Sequence, residues 1–146
     1  MENNEFPVKN KQIAINIDSI KTEISLQGFS DKIFIVVTQY GKIGSLIHTS
    51  LDAAPHRIST LDTFPTTTQF LMGDSNGPQS DMYILYATSI LQAIVAMNPH
   101  ETRPLLLGIA LRSIDDLAKG KKTFQQVTDL IMANPVCQYI TAIFLT

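Results

Sequence analysis

Two short apolar runs around a polar break constrain the fold of this chain more than any other feature. The runs are Ile33–Val37 and Ile43–Ile47, and the break contains Gln39–Lys42. Gly41 can adopt a positive φ at no steric cost, so the break predicts a hairpin turn between paired strands. Ile33–Val37 is apolar on both of its alternating faces, which predicts a strand covered on both sides.

Length and composition predict one globular domain with a weakly charged surface. The chain has 146 residues, of which 45% are hydrophobic and 16% are charged. Sparse charge leaves neutral and apolar surface, which favours contact with another protein. Eleven Lys and Arg against thirteen Asp and Glu give a net charge of −2. This balance offers no basic excess for phosphates and argues against nucleic acid as a partner.

Cysteine usage and the N-terminal sequence predict a protein of the cytoplasm or nucleus. Cys137 is the single cysteine, so no internal disulfide can form. Met1–Lys11 is polar and lacks the apolar core of a signal peptide. The longest apolar stretches are shorter than the roughly 20 residues that a membrane helix needs. We therefore expect no membrane partner.

Hydrophobic periodicity predicts an α+β fold, with a mostly antiparallel sheet of about six strands and two helices. Residues 1–10 are expected to be a flexible N-terminal tail, and residues 11–146 a single domain. Short turns between the first four strands predict an antiparallel meander. The predicted strands are Ile13–Ile17, Ile20–Leu26, Ile33–Val37, Ile43–Ile47, Thr63–Met72 and Pro104–Leu111.

The first predicted helix is unusually apolar. Asp81–Met97 shows helical periodicity, with Ser80 as its N-cap and Asn98 next to a proline at its end. Two apolar rows leave only a narrow polar stripe, and one sheet can hardly cover both rows. The low charge and this helix together predict that the chain dimerises.

The C-terminal part is predicted to contain a short helical turn and then a second helix. Ser113–Lys119 is interpreted as the turn, ended by Gly120. Thr123 and Gln126 have the spacing of a capping box at the start of the last helix. Val136–Thr146 is apolar and compatible with either a strand or a packed tail.

No arrangement of polar residues indicates catalysis. His48, His56 and His100 are scattered and do not share the i, i+4 spacing of zinc ligands on a helix. Cys137 lies among apolar residues, which favours a buried inert thiol over a nucleophile. We therefore expect no enzyme activity, no cofactor and no metal.

Contact with another protein is the interpretation that best fits the polar segments. The turn after the first apolar run and the irregular loop Leu51–Asp62 carry side chains suited to it, including an aromatic ring and a guanidinium group. The alternative is that both segments are ordinary exposed connections. The candidate protein-binding residues are Gln39, Tyr40, Lys42, His56, Arg57 and Asp62.

Three segments resemble the proteasome assembly chaperone 3 family. They are Val37–Gly44, Phe70–Gly73 and Leu105–Leu111, and the resemblance extends from Gln12 to Asn134. It implies an antiparallel sheet with two helices, no catalytic motif, and pairing with a related chaperone or with itself. It also implies a chaperone that assists assembly of the α-subunit ring of the proteasome core particle, with α-type subunits as partners.

Two other hypotheses stand beside this one. The chain could be a small adaptor or scaffold domain of another multiprotein complex, or an enzyme with an unrecognised site. The sequence does not distinguish a homodimer from a heterodimer, nor does it identify which α subunit is held. Copurification of proteasome α subunits without mature β subunits would favour the chaperone over the adaptor.

Overall fold

Six strands and two helices form one mixed sheet with both helices packed on the same face. The computed structural model describes residues 9–52 and 65–134, with side chains from residue 10 onwards. The elements are β1 (Lys9–Ile17), β2 (Ile20–Gly28), β3 (Ile33–Thr38), β4 (Ser45–Leu51), β5 (Thr66–Met72), α1 (Ser80–Met97), β6 (Leu105–Ala110) and α2 (Leu117–Met132).

The strand order is β1-β2-β3-β6-β4-β5, so the last strand in sequence lies in the middle of the sheet. β6 is parallel to β3 and antiparallel to β4, and every other pairing is antiparallel. The predicted α+β fold with a mostly antiparallel sheet is confirmed. The predicted hairpin between β3 and β4 is wrong, and the meander stops at β3. β6 separates these strands because its wholly apolar sequence requires a central, covered position.

The core lies between the inner face of the sheet and the helices. On β3 and β6 the alternate residues are fully buried, from Ile33 and Leu105 onwards. α1 covers them with a row that includes Tyr86, Ile90 and Ile94. By length and composition α1 could also cross a membrane, with a mean hydropathy of 1.3 over 18 residues. Its buried row packs on the sheet, which is the arrangement of a core helix.

The start of α1 differs from the prediction by one position. Gln79 is the N-cap residue, and its side chain makes no capping hydrogen bond. Ser80 is already inside the helix, where its hydroxyl donates to the Gly77 carbonyl at 2.8 Å. The Ser80 side chain therefore closes the turn before the helix, instead of capping the helix as its sequence position predicts.

α2 begins at Leu117, earlier than predicted, and takes in the end of the predicted short turn. Asp116 caps the helix by accepting a hydrogen bond from the Ala118 amide. Gly120 and Thr123 both lie in the helix interior, so the predicted boundary at Gly120 and the capping box are wrong. An interior glycine costs about 1 kcal/mol relative to alanine. Burial of Val127 and Ile131 on the inner face of the same helix outweighs that cost.

Several predictions concern the chain outside the described residues. β1 includes Lys9 and Asn10, which were predicted to belong to the flexible N-terminal tail. Residues 1–8 and 135–146, including Cys137, lie outside the described part. So do residues 53–64, which carry the candidate residues His56, Arg57 and Asp62.

A buried ion pair ties the connection before β6 to the turn between β2 and β3. Arg103 donates through Nε and Nη2 to the two carboxylate oxygens of Glu101, each at 2.8 Å. Its Nη1 donates to the Phe29 carbonyl at 2.9 Å. Glu101 is 1% exposed and Arg103 is 6% exposed. Paired and hydrogen-bonded in this way, the two charges can be buried together.

Breaking this pair from one side should destabilise the protein strongly. We expect Glu101→Leu to lower the free energy of unfolding by about 3–5 kcal/mol, because it leaves the Arg103 charge buried without a partner. The double variant Glu101→Leu with Arg103→Met should recover much of that loss. Urea titration of each variant measures the difference.

Asp31→Ala is the matched control, since it breaks an exposed pair with Lys32. It should cost less than about 1 kcal/mol. A Glu101→Leu variant as stable as this control would contradict a structural role for the buried pair.

Candidate functional site

The strand directions place the turn and the start of the loop at opposite ends of the sheet. Thr38 pairs with Ala110 at the end of β6, and Gln39–Lys42 follows at that end, which we call the turn end. β4 then runs back, and Thr49 pairs with Leu105 at the start of β6. The loop after Leu51 therefore starts at the opposite end, which we call the loop end. Seven residues of β4 separate the two ends by about 20 Å.

Of the predicted site residues, Gln39, Tyr40 and Lys42 lie at the turn end, and His56, Arg57 and Asp62 lie outside the described residues. The base of the loop is closed at the loop end by a hydrogen bond from the Asp52 amide to the Pro65 carbonyl at 2.9 Å. The Thr67 hydroxyl also donates to Asp52, at 2.5 Å. The two described ends of the loop, Asp52 and Pro65, are thus held together at the loop end.

The turn is organised by one threonine hydroxyl. Oγ1 of Thr38 donates to the Lys42 carbonyl at 2.7 Å and accepts from the amides of Tyr40 and Lys42 at 3.1 and 3.2 Å. Gly41 has a φ of +74°, as the sequence predicted. The closed turn leaves Tyr40 52% exposed, with Lys42 exposed beside it. Both side chains are available to a partner.

Gln39 has a different position from its neighbours in the turn. Its amide nitrogen donates to the Thr22 hydroxyl at 3.0 Å, and its amide oxygen accepts from the Arg112 backbone at 2.8 Å. Its own backbone nitrogen donates to the Ala110 carbonyl at 2.8 Å. With 8% exposure it offers almost no surface to a partner. Gln39 joins β2 to the segment after β6 and so positions the turn.

Arg112 joins the turn surface and was not found from the sequence. Its guanidinium group lies over the Tyr40 ring, 5.1 Å from the ring centre. This geometry is typical of a cation–π contact. The two residues are far apart in sequence, so only the pairing of β3 with β6 makes them neighbours. We call Tyr40, Lys42 and Arg112 the turn surface.

Tyr83 supports the backbone just before Arg112. Its hydroxyl accepts from the Leu111 amide at 3.0 Å and donates to the Leu111 carbonyl at 3.3 Å. Burial raises the pKa of this hydroxyl, although the hydrogen bond to Leu111 lowers it in part. The group therefore stays protonated near neutral pH and keeps its donor. Tyr83 and Gln79 also line a cavity of about 280 Å³ beneath Tyr40.

The second surface is the sheet face opposite the helices. Two rows of cross-strand neighbours run over it from β2 to β5. The outward positions of β3, β6 and β4 carry no Asp, Glu, Lys or Arg. We call the two rows the open sheet face. They are Gln27, Phe34, Leu106, His48 and Gln69, and Ser25, Val36, Gly108, Leu46 and Met72.

The open sheet face has an apolar centre and a polar rim. Phe34, Val36 and Leu106 are half-buried on central strands, and Met72 is 53% exposed. Ile43 lies over Gly108, where an added Cβ would approach its Cγ2 to 3.1 Å. Lys21 and Glu23 pair at the β2 side of the face at 3.8 Å. An apolar centre with a polar margin is the usual anatomy of a protein interface.

A metal or catalytic centre finds no support in the described part of the chain. Across residues 9–52 and 65–134, no group of three or more His, Cys, Asp or Glu side chains could hold a metal ion. His48 lies in the open sheet face and His100 lies in the connection between α1 and β6. The two described histidines are therefore on different parts of the molecule.

The described residues form a small α+β domain with two exposed surfaces at different places on its sheet. The family model for proteasome assembly chaperone 3 matches residues 35–134. Proteasome assembly chaperone 3 of Nematostella vectensis is 31% identical over 107 residues, which are 70% of this chain and 75% of that protein. This chain belongs to the proteasome assembly chaperone 3 family. The family resemblance seen in the sequence is confirmed.

A solved structure shows the same fold. One chain in the crystal structure of a chaperone complex for yeast 20S proteasome assembly matches with a TM-score of 0.56 at 14% identity. The match covers 83% of this chain and 97% of that chain. The three segments that carried the resemblance all reach the turn end, at Thr38, Gly73 and Leu111.

Replacing Gln39 should destabilise the fold, whereas replacing Tyr40 should not. Gln39→Leu removes the acceptor of the Arg112 amide, so we expect the free energy of unfolding to fall by about 2 kcal/mol. Tyr40→Ala removes an exposed ring and should cost less than about 1 kcal/mol. Urea titration of the two variants separates the roles. If Gln39→Leu were the milder change, the positioning role of Gln39 would be wrong.

Proposed function

We propose that this chain is a non-enzymatic chaperone that pairs with a chain of the same fold and assists assembly of the proteasome α-subunit ring. Membership of the proteasome assembly chaperone 3 family supports the chaperone class. The observation that carries the pairing is the open sheet face, which combines an apolar centre with a polar rim. We place this activity in the cytoplasm or nucleus.

The open sheet face is the proposed surface of pairing. Apolar sheets pack face to face at about 10 Å, with interdigitating side chains from both inner faces. A partner of the same fold would present a similar face and would bury Phe34, Val36 and Leu106 from water. The partner is either a second copy of this chain or a related chaperone. The prediction that the chain dimerises was based on the apolar first helix. The surface proposed for pairing is the open sheet face instead.

The turn surface is the proposed contact with an α subunit. Tyr40 is an amphipathic ring, and Lys42 and Arg112 place two cations beside it. Such a group suits a partner surface with carboxylates around an apolar patch. It lies at one end of the sheet and leaves the open sheet face free for pairing.

The loop residues His56, Arg57 and Asp62 belong to a separate proposed contact. Their loop is anchored at the loop end by Asp52 and Pro65. The base of the loop and the turn surface are separated by the length of β4. The loop and the turn surface should therefore be tested independently.

A charge in the centre of the open sheet face should abolish pairing. Leu106→Lys places an ammonium group in the apolar centre, and we expect the dimer dissociation constant to rise by about 100-fold or more. Native mass spectrometry of the chain alone, and of the chain co-expressed with a related chaperone, measures the loss.

Met97→Lys makes the same kind of change on the opposite side of the molecule, at a residue 53% exposed. It should leave pairing intact, and circular dichroism should show both variants folded. Pairing that survives Leu106→Lys but is lost with Met97→Lys would place the interface on the helices.

Changes in the turn surface should weaken capture of α subunits while sparing the fold and the dimer. We expect Tyr40→Ala with Lys42→Ala to reduce copurified α subunits by about tenfold, as for loss of one aromatic anchor and a charge. Arg57→Ala, made separately, tests the loop. Mature β subunits should be absent from the preparation with the parent chain.

The outcomes separate the chaperone from the adaptor. Undiminished capture by both the turn variant and Arg57→Ala would move the contact to another surface. A parent chain that copurifies with a different complex, and never with α subunits, would favour the adaptor hypothesis.

A further inference from the structure

An apolar groove lies between the first halves of the two helices. Its volume is about 520 Å³. Leu117 on one rim is 74% exposed and Leu85 on the other is 54% exposed. We call this the helix groove, and its apolar lining consists of Met82, Leu85, Tyr86, Ile114, Leu117 and Phe124.

We propose that the C-terminal segment Val136–Thr146 of the same chain covers the helix groove. The segment contains no charged residue, and its apolar side chains include Ile140, Ile143 and Phe144. A lining dominated by leucine, methionine and aromatic side chains suits such a segment, because contact removes apolar surface of both from water. The inference is independent of the proposed function.

The distances along α2 allow this arrangement. From Asn134 back to Phe124, the near end of the groove, the helix rises about 15 Å, and to Leu117 about 26 Å. An extended chain covers at most about 3.3 Å per residue, so Ile140 can reach Phe124 and Leu145 can reach Leu117. α2 ends at Met132, so the chain can leave the helix axis before the segment begins.

The family comparison also sets this segment apart. The match to the proteasome assembly chaperone 3 family ends at Asn134. The turn surface lies within the matched part of the chain, whereas the open sheet face extends to Ser25, Gln27 and Phe34 before it. Val136–Thr146 lies beyond the matched residues, and the helix groove is an exposed apolar surface beside α2, the helix that precedes the segment.

Disulfide trapping tests the proposal in the full-length chain. With Cys137→Ser as background, Gly120→Cys and Phe144→Cys place one thiol at the groove and one in the segment. A Cβ at Gly120 meets nothing within 4 Å, so the new side chain has room. We expect an intramolecular disulfide on mild oxidation, forming about tenfold or more faster than in the control pair, because the two thiols share a high effective concentration.

The control pair is Met97→Cys with Phe144→Cys, which places the first thiol at the other end of α1. Non-reducing electrophoresis and intact mass distinguish a bond within one chain from a bond between chains. Bonds only between chains would show that a second copy supplies the segment and would overturn the proposal. Equal rates in the two pairs would also overturn it.

A second measurement does not depend on the added thiols. Removing residues 136–146 should increase binding of the dye ANS severalfold, because the helix groove becomes exposed. Leu85→Gln with Leu117→Gln in the shortened chain should return binding towards that of the parent. No increase on removal would mean that the segment does not cover the groove.

Discussion

The pairing of β6 with β3 and β4 is the constraint on which the rest of the structure depends. This strand closes the gap between the β1–β3 meander and the β4–β5 pair. It carries α1 before it and α2 after it onto the same face of the sheet. It also brings Arg112 to Tyr40 and the Leu111 backbone to Tyr83. Since these pairings join residues far apart in sequence, they form only after loop closure and are intrinsically slow.

Local patterns predicted the elements better than they predicted their neighbours. Alternation identified β1 and β2, and helical periodicity identified α1, because each pattern reflects one buried face of a single element. The prediction of a hairpin between β3 and β4 was wrong because the sequence of an apolar strand that pairs on both sides does not indicate which strands it pairs with. The predicted helix boundary at Gly120 was wrong because tertiary burial of Val127 and Ile131 outweighs the low helix propensity of glycine.

The candidate site was predictable only in part for the same reason. Tyr40 and Lys42 were found because an exposed turn can be read from its own residues. Gln39 was predicted to lie with them because a polar residue in a turn is usually exposed to solvent. In the structure its side-chain amide hydrogen-bonds to Thr22 and to the backbone of Arg112. Arg112 was missed because only β6 makes it a neighbour of the turn. The open sheet face needed the strand order, which sets its rows side by side.

The buried ion pair before β6 has a consequence for strand register. A shift of β6 by one residue would exchange Leu105, Leu107 and Ile109 for Leu106, Gly108 and Ala110. Both sets are apolar, but the second would put Gly108 and Ala110 where Leu107 and Ile109 fill the core, so packing already disfavours the shifted register. Arg103 lies two residues before the strand begins and is held by Glu101 and by the Phe29 carbonyl. Its position fits only one of the two registers. Two buried charges thereby reinforce the alignment that the strand's own side chains favour.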